Sequence, residues 1–209
     1  MIKTSYIFIA LIILNYLIYW LTNYFILSDE VYLSYFSNRY SGKVSNEIVE
    51  RITNIRAYVD LLHPILLTFK IILIFIILQF GLILTSLKIK NSILFRIVII
   101  SEFIFSIAPI LTLFWFTVIQ IEFEYNDLIN FPPNSLLVFN KVNELEYGVI
   151  YFLQSINLSE LLYVITLSYL LGVGTNSGFK IGFKIVSLSY IPAFFLWLIL
   201  VTLLFLSLS

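Results

Sequence analysis

Long apolar runs dominate the sequence, and they constrain the fold more than any other feature. Hydrophobic residues make up 61% and charged residues 11% of the 209 residues, whereas soluble domains contain roughly 45–50% apolar and about 25% charged residues. A helix needs about 20 apolar residues to cross a hydrocarbon core about 30 Å thick. We therefore predict an all-α polytopic transmembrane helix bundle, a single domain with five spans. The predicted spans are residues 6–27, 61–87, 93–120, 158–172 and 185–208.

The first and the fourth of these spans each leave an alternative. The start of the chain resembles the basic start of a signal peptide, but the apolar run is longer than the ~7–15 residues of such peptides and no small-residue cleavage site follows. We expect an uncleaved first span. For the short fourth span, Asn157 with Glu160 is typical of a capping box, which favours a start at Leu158. The alternative is a long tilted or broken helix that begins near Tyr147.

The distribution of basic residues predicts the orientation of the chain. With five spans the termini lie on opposite sides, and the short connections on the amino-terminal side carry the basic residues. The positive-inside rule makes that side cytoplasmic, so we predict a cytoplasmic amino terminus and an outer carboxyl terminus. The abundance of Ile, Asn, Lys, Phe and Tyr indicates an AT-rich bacterial genome, and hence an inner membrane. The cytoplasmic basic residues are Lys3, Lys88, Lys90, Arg96, Lys180 and Lys184.

The outer connections, residues 28–60 and 121–157, have patterns of their own. Residues 45–60 predict an amphipathic helix that lies on the outer leaflet or packs against the bundle or a partner. Pro64 is expected to end this helix, because proline lacks an amide donor and disfavours a helical residue before it. In the second connection, residues 131–157 fit a re-entrant segment or an ordered outer loop. The apolar stripe of the amphipathic helix is Ile48, Ile52, Ile55 and Val59.

Polar residues at membrane depth form the candidate site, because lipid cannot solvate an ionisable group. Counted inward from the cytoplasmic span ends, Asn15, Gln79 and Glu102 lie about 12–15 Å deep, where they can form one polar cluster. Lys70 is expected nearer the outside, level with Pro109, so a direct Lys70–Glu102 ion pair needs tilt, a kink or a bridging water. Two interpretations stay open: polar contacts that join helices, and a substrate, ion or lipid site.

Four further residues are candidate contacts to lipid headgroups. Asp60 and His63 lie roughly on one helical face with Lys70, a stripe that can conduct a proton or bind an anionic headgroup. Lys180 and Lys184 lie in a glycine-rich cytoplasmic turn, where free amides and lysines can bind a phosphate. The turn fits neither the P-loop nor the dinucleotide fingerprint, so a tight hairpin with lysines extended to the interface is the favoured interpretation.

The sequence also argues against several functions. The chain has no cysteine, which excludes thiol catalysis and disulfides. His63 is the single histidine, so we expect no metal and no cofactor. Motifs of serine hydrolases and zinc proteases are missing from the sequence, which predicts a protein that is not an enzyme. A net charge of zero gives no argument for a nucleic-acid partner.

The motif Asp60-Leu61-Leu62-His63-Pro64 before a span, with the apolar layout that follows it to Ser209, resembles the Yip1-like family of small five-span membrane proteins. The family's corresponding motif is Asp-Leu-x-Gly-Pro. His63 replaces its glycine, and the motif precedes the second span here rather than the first. The resemblance implies a non-enzymatic role in membrane organisation, trafficking or the assembly of other membrane proteins, and it assigns no catalytic residue.

Together these patterns predict a scaffold or accessory subunit of a larger membrane complex, whose partners are lipids and other integral membrane proteins. The first alternative is a small transporter or permease subunit with a polar site at the midplane. The residues expected to line its path are Lys70, Glu102, Gln79 and Asn15. The second is a protein that binds or modifies lipids. Outer aromatic residues are expected to act as interfacial anchors or partner contacts. These are Tyr32, Tyr35, Phe36 and Tyr40.

Overall fold

The computed structural model describes residues 3–129, 131, 135 and 146–208, which fold into ten α-helices. A 3₁₀ turn, Phe103–Ser106, joins the fourth helix to the fifth, and a π-helical turn, Trp115–Ile119, follows the fifth. In chain order the helices are α1 (Thr4–Phe25), α2 (Asp29–Ser37), α3 (Gly42–Leu84), α4 (Asn91–Glu102), α5 (Ile107–Phe114), α6 (Tyr125–Ile129), α7 (Tyr147–Ser155), α8 (Leu158–Gly174), α9 (Phe179–Leu188) and α10 (Tyr190–Leu208).

The all-α membrane bundle predicted from the apolar runs is confirmed. Among the described residues, four helical stretches are long and apolar enough to cross a membrane, and α8 is a shorter apolar helix. The last stretch begins earlier than the predicted residue 185, because α9 and α10 together form it. The four stretches are Thr4–Phe25, Leu62–Leu84, Asn91–Ile119 and Phe179–Ser207.

The amphipathic segment is not a separate helix, and the prediction that Pro64 ends it is wrong. Helix α3 is 43 residues long in total and continues through Pro64. Proline leaves the carbonyl of Asp60 without its usual helical partner. That carbonyl lies just before the membrane-spanning stretch that starts at Leu62, where water and headgroups can take the missing bond. About 30 Å of α3, residues 42–61, therefore precedes its membrane-spanning part.

Two other prolines do interrupt their helices. Proline clashes with the carbonyl four residues before it, which is Phe105 for Pro109 and Leu188 for Pro192. In the first case the helix tightens into the 3₁₀ turn that ends at Ser106. In the second, α9 ends at Leu188 and α10 begins at Tyr190. Both breaks lie inside apolar, membrane-spanning stretches.

A third break separates α7 from α8. Asn157 caps α8, because its side-chain oxygen accepts a hydrogen bond from the Glu160 amide at 2.8 Å, so the start predicted at Leu158 is present. Helix α7 packs along α10, where the indole of Trp197 donates a hydrogen bond to the Tyr151 hydroxyl (3.1 Å). The region around Tyr147 is therefore helical, as in the broken-helix alternative. About half of the predicted re-entrant segment, residues 132–134 and 136–145 of 131–157, lies outside the described residues.

The core lies between α1, α3, α4, α8 and α9. Every one of these helices contributes at least one fully buried aliphatic side chain to a single cluster. Because the apolar face of each helix meets its neighbours here, the cluster fixes the spans relative to one another. Members with no exposed surface include Leu11, Ile71, Leu78, Leu94, Val98, Leu167, Leu171 and Ile185.

Helices α8 and α9 form a tight hairpin at the predicted glycine-rich turn. A Cβ atom on Gly182 would lie 1.9 Å from the carbonyl oxygen of Ser168, and one on Gly172 would lie 2.5 Å from the carbonyl oxygen of Gly178. Such approach of two backbones is possible only without side chains. The glycines therefore serve helix packing, which agrees with the hairpin interpretation rather than a phosphate cradle.

Before the membrane-spanning part of α3, α2 packs against α3. Residues 29–61 form an arm that we call the outer arm, after the side on which the sequence predicts it. Asp29 forms an ion pair with Arg56 (3.8 Å) and accepts a hydrogen bond from the Thr53 hydroxyl (3.2 Å). The Arg56 guanidinium lies 4.5 Å from the centre of the Tyr32 ring. The predicted apolar stripe is divided: Ile48 and Ile52 are half-buried, whereas Ile55 and Val59 are exposed.

The outer aromatic residues pack on one another more than the anchor prediction implies. Tyr125 of α6 contacts the rings of Tyr32 and Tyr35, with ring centres 5.0 and 4.7 Å apart. Burial, with Tyr32 and Tyr35 nearby, raises the pKa of Tyr125 above its ordinary value. Tyr32 is itself buried, Phe36 is half-buried, and Tyr40 is exposed. Of the four predicted contact residues, Tyr40 is thus the most available to a partner.

Candidate functional site

A direct ion pair between α3 and α4 is the centre of the candidate site. The Lys70 ammonium lies 2.9 Å from Glu102 Oε2. The Glu102 side chain is 1% exposed, whereas that of Lys70 is 41% exposed. The carboxylate is therefore sealed inside the bundle, and the ammonium reaches it from the bundle surface. No bridging water is needed, because the two atoms are at hydrogen-bond distance.

The expected difference in depth between these residues does not exist, because the connection after α3 turns back. Gln79 of α3 donates a hydrogen bond to Asn91 (3.0 Å), so α4 begins level with Gln79 rather than with the end of α3. Lys70 lies nine residues above that level and Glu102 eleven, or about 13 and 16 Å at 1.5 Å per residue. The Lys70 side chain is long enough to span the small difference between these two depths.

The 3₁₀ turn places an aromatic ring against the ion pair. Residues three apart eclipse each other in a 3₁₀ helix, and the turn begins directly after Glu102, which brings Phe105 over it. The Lys70 ammonium lies 3.6 Å from the centre of the Phe105 ring and 5.8 Å from that of Tyr163. Cation–π contact of this kind is worth roughly 2 kcal/mol or more where water is absent. The rings therefore help to stabilise the ammonium at membrane depth.

A second carboxylate lies beside the pair. Glu160 of α8 accepts a hydrogen bond from the Tyr190 hydroxyl at 2.6 Å, and it interacts electrostatically with both Lys70 and Glu102. The Tyr163 ring lies between those of Phe105 and Tyr190, with ring centres 4.8 and 5.3 Å away and the ring planes tilted. Side chains of α3, α4, α8 and α10 thus meet in one polar cluster, which we call the carboxylate cluster: Lys70, Glu102, Phe105, Glu160, Tyr163 and Tyr190.

Several polar atoms of this region are buried and lack a well-formed hydrogen bond. They are Glu102 Oε1, the Tyr163 hydroxyl and the hydroxyls of Ser101 and Ser106. The Tyr163 hydroxyl interacts with the Glu102 carboxylate without good hydrogen-bond geometry. Small movements can complete that bond, so the cluster holds together as a network of polar contacts.

The other predicted members of the cluster lie elsewhere. Gln79 pairs with Asn91 as described, and the Asn15 side chain donates to the carbonyl of Leu11 in its own helix (2.9 Å). No hydrogen bond between the described residues joins either of them to Lys70 or Glu102. Of the four residues predicted to share a polar site, Lys70 and Glu102 therefore bind each other, whereas Asn15 and Gln79 bind other groups.

The candidate headgroup residues lie in two separate pairs at the two ends of the bundle, as the sequence places them. His63 stacks on Tyr19 of α1 with ring centres 6.2 Å apart, and Asp60 also interacts with Tyr19, so both join α1 to α3. The exposed Lys180 and Lys184 lie on α9 at the other end of the bundle. Within the described ranges, no group of three His, Asp or Glu residues could hold a metal ion.

Comparisons with known proteins give no match to this chain, whether with protein-family models, with curated proteins or with solved structures.

Loss of the Tyr190 hydroxyl is expected to destabilise the bundle. In Tyr190→Phe, the buried Glu160 carboxylate loses its donor, which costs about 1–3 kcal/mol of the free energy of unfolding. Thermal unfolding in mild detergent measures the effect. The control is Tyr169→Phe on the exposed face of α8, which should leave the unfolding temperature unchanged; equal effects of the two changes would contradict a role for the Tyr190–Glu160 bond.

Proposed function

We propose that this membrane protein is a non-enzymatic scaffold or accessory subunit of a larger membrane complex, in agreement with its Yip1-like resemblance. The proposal includes an inner-membrane location with a cytoplasmic amino terminus and an outer carboxyl terminus. Lys180 and Lys184 support this orientation, because they lie exposed beside the α8–α9 turn, at the end that the positive-inside rule makes cytoplasmic.

The observation that carries the proposal is how the bundle uses its polar side chains. Lys70 binds Glu102, Tyr190 binds Glu160, and Gln79 binds Asn91. Each contact joins two different helices, as expected when buried polar groups hold a bundle together. Side chains that bind one another are less free to bind a passing substrate, so the cluster is better suited to fixing a shape than to transport.

The outer arm gives the scaffold its binding surface. It extends about 30 Å from the membrane-spanning part of α3, and α2 stiffens it through the Asp29–Arg56 ion pair. Between α2 and α3 the arm carries an open groove of about 320 Å³ lined by both polar and apolar residues. A rigid arm outside the membrane is suited to holding a partner at a fixed distance from the bundle.

A pull-down from the native membrane tests the proposal. The tagged full-length chain, extracted in mild detergent, is expected to retain a second integral membrane protein in a fixed ratio, because an accessory subunit is isolated with its complex. The matched control is the same tag on an unrelated five-span protein. Recovery of the chain with no other protein, under conditions that preserve known membrane complexes, would overturn the proposal.

One observation favours the transporter alternative. Three helix breaks, after Glu102, before Leu158 and at Ser189, converge on the carboxylate cluster, and broken helices often mark transport sites. The double variant Lys70→Met/Glu102→Leu separates the two functions, since it removes both charges together. A scaffold keeps its partner in this variant, whereas a coupled transporter loses flux or the pH dependence of flux.

A further inference from the structure

The carboxylate cluster brings together one ammonium and two carboxyl groups. Lys70 supplies the ammonium, and Glu102 and Glu160 supply the carboxyl groups. If all three groups were ionised, the cluster would hold one uncompensated negative charge. Lipid cannot solvate such a charge at membrane depth, so a further positive charge is needed.

The groups that surround Glu160 offer no second cation. The 3₁₀ turn beside α8 carries no charge, and α9 has its two lysines next to the α8–α9 turn, at the far end of α8. Arg96 of α4 lies six residues, about 9 Å, before Glu102 and forms no ion pair with the described carboxylates. The titratable side chains that face Glu160 are Lys70 from α3, Glu102 from α4, Tyr163 from α8 itself and Tyr190 from α10.

The contacts decide which of the two carboxyl groups lacks a counter-charge. Glu102 Oε2 lies 2.9 Å from the Lys70 ammonium, so a charge-assisted hydrogen bond compensates Glu102. Glu160 accepts its hydrogen bond from the Tyr190 hydroxyl at 2.6 Å. That hydroxyl is neutral and cannot balance a negative charge. The surplus charge therefore falls on Glu160.

Two buried atoms show that the polar network around the carboxyl groups is incomplete. Glu102 Oε1 and the Tyr163 hydroxyl are buried without a well-formed hydrogen bond, and the Tyr163 hydroxyl interacts electrostatically with both Glu102 and Glu160. Tyr163 has no exposed surface. An additional negative charge beside such atoms is costly, and a buried carboxylate commonly avoids the cost by becoming neutral.

We propose that Glu160 is a proton-binding site at membrane depth, occupied at neutral pH. One proton from the aqueous phase converts the Glu160 carboxylate into a carboxylic acid, and the charge of the cluster changes from one negative charge to zero. Glu102 stays ionised against Lys70. The bond from Tyr190 is kept, because the carbonyl oxygen of a carboxylic acid is also an acceptor.

The position of Glu160 also suits exchange of the proton with water. Its side chain is half-buried, whereas that of Glu102 is 1% exposed. Glu160 lies in the first turn of α8, directly after the break that separates α8 from α7. The amino-terminal end of a helix favours an ionised carboxylate, but this effect is smaller than the cost of an uncompensated charge at membrane depth.

Infrared spectroscopy tests the site, because a protonated carboxyl group has a carbonyl band that a carboxylate lacks. The full-length chain is measured in mild detergent at neutral pH, in H₂O and in D₂O, since the band of an acid shifts on deuteration. We expect this band in the wild type and its loss in Glu160→Gln, which keeps the shape of the neutral acid. Glu47→Gln, on the exposed surface of the outer arm, is the matched control and should leave the band unchanged.

A second variant assigns the band to Glu160. Tyr190→Phe removes the hydrogen bond to the Glu160 carbonyl oxygen, so the band should remain and move to higher frequency. In the wild type, the band should disappear reversibly when the pH is raised, because the acid then releases its proton.

A wild-type chain without the band at neutral pH would overturn the proton site, whatever the variants do. A band that survives Glu160→Gln, or that does not move in Tyr190→Phe, would place the proton on another group and equally overturn it. The proton site and the scaffold function can fail separately, because the infrared measurement needs no partner protein and the pull-down does not depend on the protonation of Glu160.

Discussion

Lys70→Met is expected to destabilise the bundle more than Glu102→Leu, and the variant with both changes less than either. Removing one partner of a buried ion pair costs about 3–5 kcal/mol, because the other charge stays buried without compensation. The Glu102 side chain is 1% exposed and that of Lys70 is 41% exposed. A stranded carboxylate therefore has no route to solvent, whereas a stranded lysine can extend toward the bundle surface.

The free energy of unfolding, measured by denaturant titration in detergent micelles, orders the three variants. The double variant should recover most of the loss, since apolar side chains of similar volume often replace a buried pair without cost. Lys88→Met, an exposed lysine in the connection after α3, is the control and should leave stability unchanged. If Glu102→Leu is the more damaging single change, the ion pair does not have the asymmetric burial described here.

The ion pair also illustrates where sequence reasoning fails for this fold. The sequence identifies Lys70 and Glu102 as residues at membrane depth, but it predicts different depths for them because it assumes that both helices end at the membrane surface. The Gln79–Asn91 hydrogen bond reveals that the connection turns back into the bundle. The course of a short connection depends on tertiary contacts, which hydropathy does not record.

The sequence contains a pattern that indicates the burial of Glu160 and Tyr163, but the capping motif offers a simpler explanation for Glu160. Glu160 fits a capping box with Asn157, and half of that box is present; the Glu160 carboxylate, however, turns to Tyr190. Glu160 and Tyr163 also share a helical face with Leu167 and their spacing places them toward the core. A carboxylate on the apolar face of a helix therefore indicates a buried partner, even where a local role explains it.

The three prolines within helical stretches show that the local effect of a proline does not by itself decide whether a helix breaks. Pro109 and Pro192 interrupt their helices, whereas Pro64 does not, although all three lack the same amide donor. The difference lies in what surrounds the freed carbonyl. Near the end of a span, water can bond to it, whereas deep in the apolar stretch the chain changes its helical geometry instead. Residue type alone predicts the presence of a weak point, but not whether the helix breaks there.

Gly182→Ala is expected to destabilise the α8–α9 hairpin by about 3 kcal/mol or more, at the upper end for an overpacked site. The added Cβ would lie 1.9 Å from the Ser168 carbonyl oxygen and 2.7 Å from the Gly172 amide nitrogen. Both atoms belong to the backbone, so no side chain can rotate away and the two helices must separate. Since α9 also packs against α3 at Gly81, the separation should spread beyond the hairpin.

Two other glycines calibrate this prediction. Gly148→Ala, where the nearest atoms are 3.1 Å away and include the Leu206 side chain, should cost less because that side chain can yield. Gly42→Ala has nothing within 4 Å and should be neutral, or stabilising by about 0.4–1 kcal/mol through the unfolded state. Thermal unfolding in detergent should rank Gly182 first, Gly148 second and Gly42 last. A Gly182→Ala protein as stable as Gly42→Ala would mean that α8 and α9 are not in backbone contact. The tight hairpin could then no longer explain why Tyr190 lies beside Glu160 in the carboxylate cluster.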